Sequence, residues 1–261
     1  MLDLYHWEPN GVFLKPLMAL EEKQAPFTSR WFDPTLFEQL KQGFPSSVES
    51  QLQLEREGPI LVADGTVVSS SFFMLEYIAE AIPGPSLLPE APYDRYRARA
   101  WGQMLGLALG PATSALGCAR YLAPELAQRN AGELRRDIER IEPIERRNAW
   151  LAVADGVYDD NATKAFRERL EAPVGRVESA LARSAWLAGP GFSIADIDAY
   201  ALIDPLRELA SGVVNAQATP HVVDWLDRIA SRPSTRAARA RAHRPDPRTA
   251  FVPGMEPSRW G

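Results

Sequence analysis

The 261-residue sequence predicts an α/β domain followed by an all-helical domain. Short apolar runs alternate with amphipathic segments over residues 1–82, and a proline-rich stretch spans residues 83–92. Every later apolar pattern has the period of a helix. We therefore expect a linker at 83–92, a helical domain over 93–244 and an irregular tail on the surface over 245–261.

The first domain is predicted to alternate strands with helices. An apolar run spans Leu2–His6, and helical spacing follows over Phe13–Lys23. Pro16 is tolerable if it lies in the first turn, where its missing N–H would have no partner. The remaining elements are a strand over 27–32, a helix before a proline, a hairpin over 59–68 with an Asp64-Gly65 turn, and a helix over 69–82.

The second domain carries helical patterns alone. They cover residues 93–122, 131–153, 163–187, 194–210 and 222–241. One feature is more specific than this periodicity. Ser193-Ile-Ala-Asp196 places a hydroxyl and a carboxylate three residues apart at a helix start, and this spacing predicts a reciprocal capping box.

Composition excludes several classes of protein. The net charge of −5 gives no cationic field for nucleic acid. No run approaches the roughly 18–20 apolar residues of a membrane span. Cys118 is the single cysteine, so neither an internal disulfide nor a cysteine metal site is expected. Without a visible secretory signal, we expect a cytoplasmic protein with no membrane partner.

Four stretches carry a resemblance to a known family. They are Leu14–Leu17, Asp33–Gln39, Phe192–Ile197 and Trp225–Pro233. With the order of strands and helices, they resemble the glutathione transferase superfamily, and within it the bacterial glutathione-dependent β-aryl etherases of lignin catabolism. The resemblance covers nearly the whole chain. It implies a thioredoxin-like first domain, glutathione as co-substrate, an aromatic ether substrate, and a homodimer or a heterodimer with a related subunit.

The resemblance also implies where glutathione would bind. Pro59, after Gly58, stands where the family has a cis-proline that exposes backbone groups to the cysteinyl part. Ser71 stands at the helix start that would hold the γ-glutamyl carboxylate. The family's acidic residue before it is replaced by Ser70, so the ammonium loses its counter-charge. The family's Asn-Pro-x-Gly approach to the cis-proline is absent from Ser46–Glu57.

The position that activates the thiol differs most from the family pattern. A polar pair ending in the catalytic serine precedes the Leu-Lys-Pro stretch in the etherases, and here that pair is Val12-Phe13. Neither side chain donates a hydrogen bond, and Phe13 can fill the space of the sulfur. Losing a placed donor costs roughly 10²–10³ in rate. His6, at the end of the first strand, is a weak substitute candidate, while Tyr5 is expected to point into the core.

Three functions remain open from the sequence. The chain can be a self-sufficient glutathione-dependent β-etherase whose thiol is activated outside the usual motif. It can be the degenerate subunit of a transferase-type β-etherase, serving as structural partner of a catalytic paralogue with weakened glutathione binding. It can also be a non-catalytic protein that binds aromatic ligands on the same fold. The sequence keeps the patterns that indicate the fold but lacks the residues expected to activate the glutathione sulfur. This combination favours the second interpretation.

Overall fold

The computed structural model describes residues 1–46 and 57–254. Most of the Ser46–Glu57 segment, where the family's approach to the cis-proline is missing from the sequence, therefore lies outside the described residues.

Four short strands form one mixed sheet. They are β1 (Leu2–His6), β2 (Thr28–Trp31), β3 (Ile60–Ala63) and β4 (Thr66–Ser69), in the order β2-β1-β3-β4. β1 runs parallel to β2 and antiparallel to β3, which pairs with β4. Asp64 and Gly65 join β3 to β4 with φ of 48° and 86°. Two positive φ values suit the twist of a two-residue hairpin, so the predicted hairpin is confirmed.

Two helices pack against this sheet: α1 (Gly11–Glu22) and α2 (Ser71–Ala81). Because α1 begins at Gly11, Pro16 lies in its second turn, and the prediction that it occupies the first turn is wrong. The chain turns into the helix earlier than its apolar spacing indicates, with the Phe13 N–H already bonded to the Asn10 carbonyl at 3.1 Å. Between β2 and β3, the described residues contain two 3₁₀ turns, over Pro34–Leu36 and Glu38–Leu40. Residues 47–56 lie outside the described residues, so the second helix predicted before Pro59 stays a prediction.

The second domain is helical. Its α-helices are α3 (Pro92–Ala108), α4 (Gly110–Gly117), α5 (Ala123–Leu126), α6 (Ala131–Glu139), α7 (Ile144–Ala154), α8 (Asp160–Leu181), α9 (Ile194–Ile203), α10 (Leu206–Leu209), α11 (Pro220–Ala230) and α12 (Pro233–Arg239). Several predicted helices are split, at Pro111, Pro143, Pro205 and Pro233, because proline is favoured at a helix start and disfavoured in its interior. Pro173 is an exception, since α8 continues through it. Within residues 1–46 and 57–254, no helix is long and apolar enough to cross a membrane.

The buried helix α9 joins the two domains. All ten of its residues are buried, and it packs against α1 and α2 of the first domain. The predicted capping box is confirmed: the Ala195 N–H donates to Ser193 Oγ at 3.3 Å, and the Ser193 N–H donates to Asp196 Oδ2 at 3.1 Å. Asp196 Oδ1 also accepts from the Leu187 N–H and from Trp225 Nε1. One carboxylate thus joins α9, α11 and the preceding loop.

The tail returns to the protein interior. The prediction that the tail lies on the surface is wrong for Ala250 and Phe251, which are 4% and 6% exposed. Asn10 Nδ2 donates to the Ala250 carbonyl at 3.0 Å, and Ser114 Oγ donates to the Val252 carbonyl at 2.7 Å. Over residues 245–254 the tail forms one 3₁₀ turn, at Pro247–Thr249, and is otherwise irregular, but it is nevertheless held against α1 and α4.

Gly117→Ala should displace the tail. A Cβ built on Gly117 would lie 2.2 Å from the Phe251 ring, so the ring must move. We expect a loss of about 1–3 kcal/mol in unfolding free energy and faster limited trypsin digestion at Arg248. Gly175→Ala in α8 is the matched control, because nothing lies within 4 Å of its added Cβ. Equal digestion rates for the two variants would contradict the packing described for the tail.

Candidate functional site

An apolar cavity of about 170 Å³ lies between the two domains. Its walls are the start of α1, the turn before β3, helices α3, α4 and α9, and tail residues 250–254. Polar side chains among the lining residues are few. They are Asn10, Lys15, Glu57, Thr113 and Ser114. A concave, mostly apolar pocket with a few polar groups is the usual form of a small-molecule site.

The turn before β3 is anchored to the second domain. The Gly58-Pro59 peptide bond is cis, as the resemblance implies for this position. Glu57, directly before it, accepts a hydrogen bond from Trp150 Nε1 at 2.8 Å and forms a buried ion pair with Arg146. Both partners come from α7. A role for Gly58 and Pro59 in binding glutathione stays a prediction.

An aromatic cluster occupies the sheet end beside this turn. Phe13 is 2% exposed, and its ring meets the rings of Trp7 and Phe32 edge to face, each at 6.1 Å. A Cβ built on Gly58 would lie 3.2 Å from Phe13 and 3.1 Å from Phe32. Val12 packs against the same cluster. Hydrocarbon therefore lies against Gly58, beside the cis bond where the resemblance locates the sulfur.

The two predicted γ-glutamyl residues lie at the start of α2. Ser71 is the first residue of the helix, and its side chain is fully buried. Its hydroxyl accepts a hydrogen bond from Lys15 Nζ at 3.2 Å. Ser70 precedes it with φ of 69° and makes no side-chain cap. Neither serine lines the apolar cavity, so the structure separates them from Val12 and Phe13, which do. Their contact with glutathione remains a prediction.

The sequence analysis did not predict the buried ion pair between Lys15 and Asp198. Lys15 Nζ lies 2.8 Å from Asp198 Oδ1, and the two side chains are 5% and 2% exposed. The pair connects α1 to α9, and Lys15 lines the cavity. The available signal was a charge on each apolar helical face: Lys15 between Leu14 and Leu17, and Asp198 within α9.

His6 is not available to the cavity. It is fully buried, with Nδ1 donating to the Trp7 carbonyl at 2.5 Å and Nε2 accepting from Ser29 Oγ at 2.6 Å. Burial, with a smaller contribution from the positive charge of Arg241, lowers the pKa of His6 to about 4. Tyr5 is only half-buried, against Phe44, so its predicted core position is wrong. His6 takes the inward place instead.

Comparison with known proteins agrees with this architecture. Residues 127–233 match the family model of the glutathione S-transferase C-terminal domain. Together with the thioredoxin-like sheet and the helical second domain, this match shows that the chain has the glutathione transferase fold.

Within the superfamily, the chain is similar to LigF of Sphingobium sp. strain SYK-6. The two are 29% identical over 251 residues, covering 94% of this chain and 95% of LigF. The crystal structure of that β-etherase superposes with a TM-score of 0.83 at 27% identity, covering 92% of this chain and 99% of LigF. Glutathione transferase F7 from Populus trichocarpa, at 21% identity and a TM-score of 0.68, shares the fold, with 92% and 98% of the two chains covered.

Acidification should weaken the fold through His6. Because the folded-state pKa of about 4 lies below the free value of about 6.5, the unfolded chain binds the proton more tightly. The contribution is complete above pH 6.5 and is lost as the pH falls towards 4. We expect the wild type to lose about 3 kcal/mol more unfolding free energy between pH 7 and pH 4 than His6→Gln does. Urea titrations measure this difference, and parallel pH curves for the two proteins would refute it.

Proposed function

We propose that the chain is a glutathione transferase-type subunit that has lost thiol activation and acts as the partner of a catalytically competent β-etherase-type subunit. The pair would cleave β-aryl ether bonds of lignin-derived compounds with glutathione in the cytoplasm. The observation that carries this proposal is the burial of Phe13 against Gly58, beside the cis bond to Pro59. Similarity to LigF over 94% of the chain supports the reaction class.

A phenylalanine at position 13 matters because a glutathione transferase site must stabilise a thiolate. A free thiol with a pKa of about 8.5 is only a few per cent thiolate at neutral pH, so a transferase site gains by stabilising the anion. The rings of Phe13 and Phe32 offer no O–H or N–H donor. Trp7 Nε1 is buried and has no acceptor in the part of the chain that the structure describes. Within this aromatic cluster, the Trp7 indole is the side-chain donor that a self-sufficient enzyme would have to use.

An exposed aromatic surface supports the partner role. Tyr93, Tyr96 and Leu107 lie on one face of α3 and are 69%, 62% and 50% exposed. Phe73, on the adjacent helix α2, is 57% exposed. Arg99 links the two helices through an ion pair with Glu76. Grouped exposed aromatic side chains are typical of protein interfaces, and we propose that a second transferase-type subunit covers this surface.

The cavity supports a second candidate, a protein that binds aromatic ligands without catalysis. A volume of about 170 Å³ is close to that of an engineered apolar cavity of ~150 Å³ that holds benzene. One aromatic ring therefore fits the space between the domains. This candidate needs neither glutathione nor thiol activation.

Phe13→Ser combined with Ser70→Glu should raise glutathione affinity and create slow ether cleavage. The serine would supply the missing donor, and the glutamate would supply a counter-charge for the γ-glutamyl ammonium. We expect a rate gain of roughly 10²–10³ over the wild type, measured by turnover of a β-aryl ether and by calorimetric titration of glutathione.

Phe13→Ala combined with Ser70→Glu is the matched control, since it opens similar space without a hydroxyl. Equal rates of ether cleavage in the two double variants would show that the serine hydroxyl is not responsible for the activity. If neither variant binds glutathione more tightly, positions 13 and 70 do not belong to its site. Rapid ether cleavage by the isolated wild-type chain would overturn the partner proposal.

Phe73→Asp combined with Tyr96→Asp should weaken association with a β-etherase-type subunit that carries the serine motif. Burying two carboxylates in an aromatic interface should raise the dissociation constant at least about thirtyfold, because interface anchors of this kind contribute about 2 kcal/mol or more. Analytical ultracentrifugation of the two chains mixed together measures this dissociation constant. Ile144→Asp combined with Val157→Asp is the control, because both residues are 59% exposed on another surface. Similar losses in both variants would exclude a specific interface.

A further inference from the structure

The geometry points to a two-part closing device in the C-terminal segment, in which residues 241–244 form a fixed anchor and residues 248–254 form a flap that opens to give access to the interdomain cavity. Pro245 and Pro247 lie between the two parts. This device goes beyond the proposed function, because it concerns how the cavity is reached and requires neither glutathione nor a particular ligand.

The anchor is held by charged side chains. The fully buried carboxylate of Glu8 accepts the backbone N–H groups of residues 243 and 244, at 3.0 and 3.1 Å. The two arginines of the anchor form ion pairs with helices of both domains: Arg241 with Glu21 and Arg244 with Glu125. Because hydrogen bonds to charged groups are roughly twice as strong as neutral ones, we expect the anchor to stay bound.

The flap is held to the rest of the protein by neutral groups. Asn10 Nδ2 and Ser114 Oγ donate to three of its backbone carbonyls, at 2.7–3.3 Å. Phe251 is its largest apolar side chain, and the ion pair of Arg248 stays within the segment, with Asp246 at 3.0 Å. A segment with few contacts opens at a lower free energy than a segment with many. The flap therefore opens while the anchor remains in place.

The closed flap covers the cavity and the aromatic cluster together. Its residues 250–254 line the cavity, and Ala250 packs in the cluster of Trp7, Phe13 and Phe32. The other walls of the cavity belong to the two packed domains. Movement of the flap therefore opens the cavity without separating the domains.

Two thiol positions can report the opening. α4 continues into a π-turn that begins at Cys118, and Ser114, Gly117 and Cys118 share one helical face. The flap contacts this face at Ser114 and Gly117, so its opening uncovers the fully buried Cys118. Burial raises the pKa of the Cys118 thiol to about 12, so the closed state does not react with thiol reagents. Thr113, 4% exposed on the cavity wall, gives a second position through Thr113→Cys in a Cys118→Ala background.

The first experiment measures labelling of Cys118 in the wild-type chain by excess dithiobis(nitrobenzoate), at urea concentrations from zero to the start of the unfolding transition. We expect an opening constant at least about tenfold larger than the global unfolding constant and nearly independent of urea, because a local opening exposes little surface. An opening constant equal to the unfolding constant, with the full urea dependence, would show that Cys118 reacts only through global unfolding, and the flap would be wrong.

Phe251→Ala should accelerate labelling of Cys118 at zero urea at least about tenfold, because it removes the largest apolar contact of the closed flap. The thiol introduced by Thr113→Cys should be accelerated by a similar factor. Leu226→Ala in α11 is the matched control, since it removes a fully buried side chain from another helix and should lower global stability without changing the labelling rate at zero urea. Acceleration at Cys118 alone would show that the flap does not close the cavity. Equal acceleration by Leu226→Ala would show opening by global unfolding.

Amide hydrogen exchange tests the anchor. The N–H groups of residues 243 and 244 should keep their wild-type protection in Phe251→Ala, because Glu8 still accepts them. If they lose protection together with the amides of the flap, the whole segment detaches as one piece, and the two-part device is wrong. If Phe251→Ala does not fold, Gly117→Ala, which displaces the same ring, takes its place, and the urea dependence in the wild-type chain still decides.

Discussion

The architecture depends on satisfying the polar groups of α9, a helix with every residue buried. Two carboxylates on this helix cannot reach water. Asp196 accepts N–H donors from its own helix start, from Leu187 and from Trp225, and Asp198 pairs with Lys15. An unpaired buried charge costs several kcal/mol, so α1, α9 and α11 must keep these relative positions. Because α1 and α9 are two walls of the cavity, the Lys15–Asp198 pair that joins them also fixes part of its shape.

The proposed site combines elements that the family resemblance predicts with a position that departs from it. The structure contains the cis bond before Pro59, the helix start at Ser71 and an interdomain cavity, whereas their use by glutathione stays a prediction. Phe13 and Phe32 nevertheless pack against Gly58, and such edge-to-face contacts stabilise a closed aromatic cluster. The proposal that this chain has lost thiol activation depends on this arrangement.

Local signals in the sequence predicted local structure well. The Asp64-Gly65 hairpin and the Ser193-Asp196 capping box each depend on neighbours within a few residues, and both are confirmed. The assignment of Phe13 to the family's thiol position stays a prediction. The pairing of Lys15 with Asp198 was missed because the two residues are far apart in the chain: each apolar helical face shows a charge, but no local pattern indicates that the two charges meet. Burial of the tail beyond position 245 was missed for the same reason.

The tail contributes a wall to the cavity although it belongs to neither packed domain. Ala250, Phe251 and Val252 line the space, and the backbone carbonyls of residues 248, 250 and 252 accept the hydrogen bonds from Asn10 and Ser114 that hold them there. Backbone acceptors tolerate almost any side chain at those positions. Phe251, however, belongs to the main hydrophobic core, and Ala250 belongs to the aromatic cluster of Trp7, Phe13 and Phe32. Substitutions at these two positions therefore change the shape of the cavity and the folding stability together, so the fold limits how far the cavity can be altered.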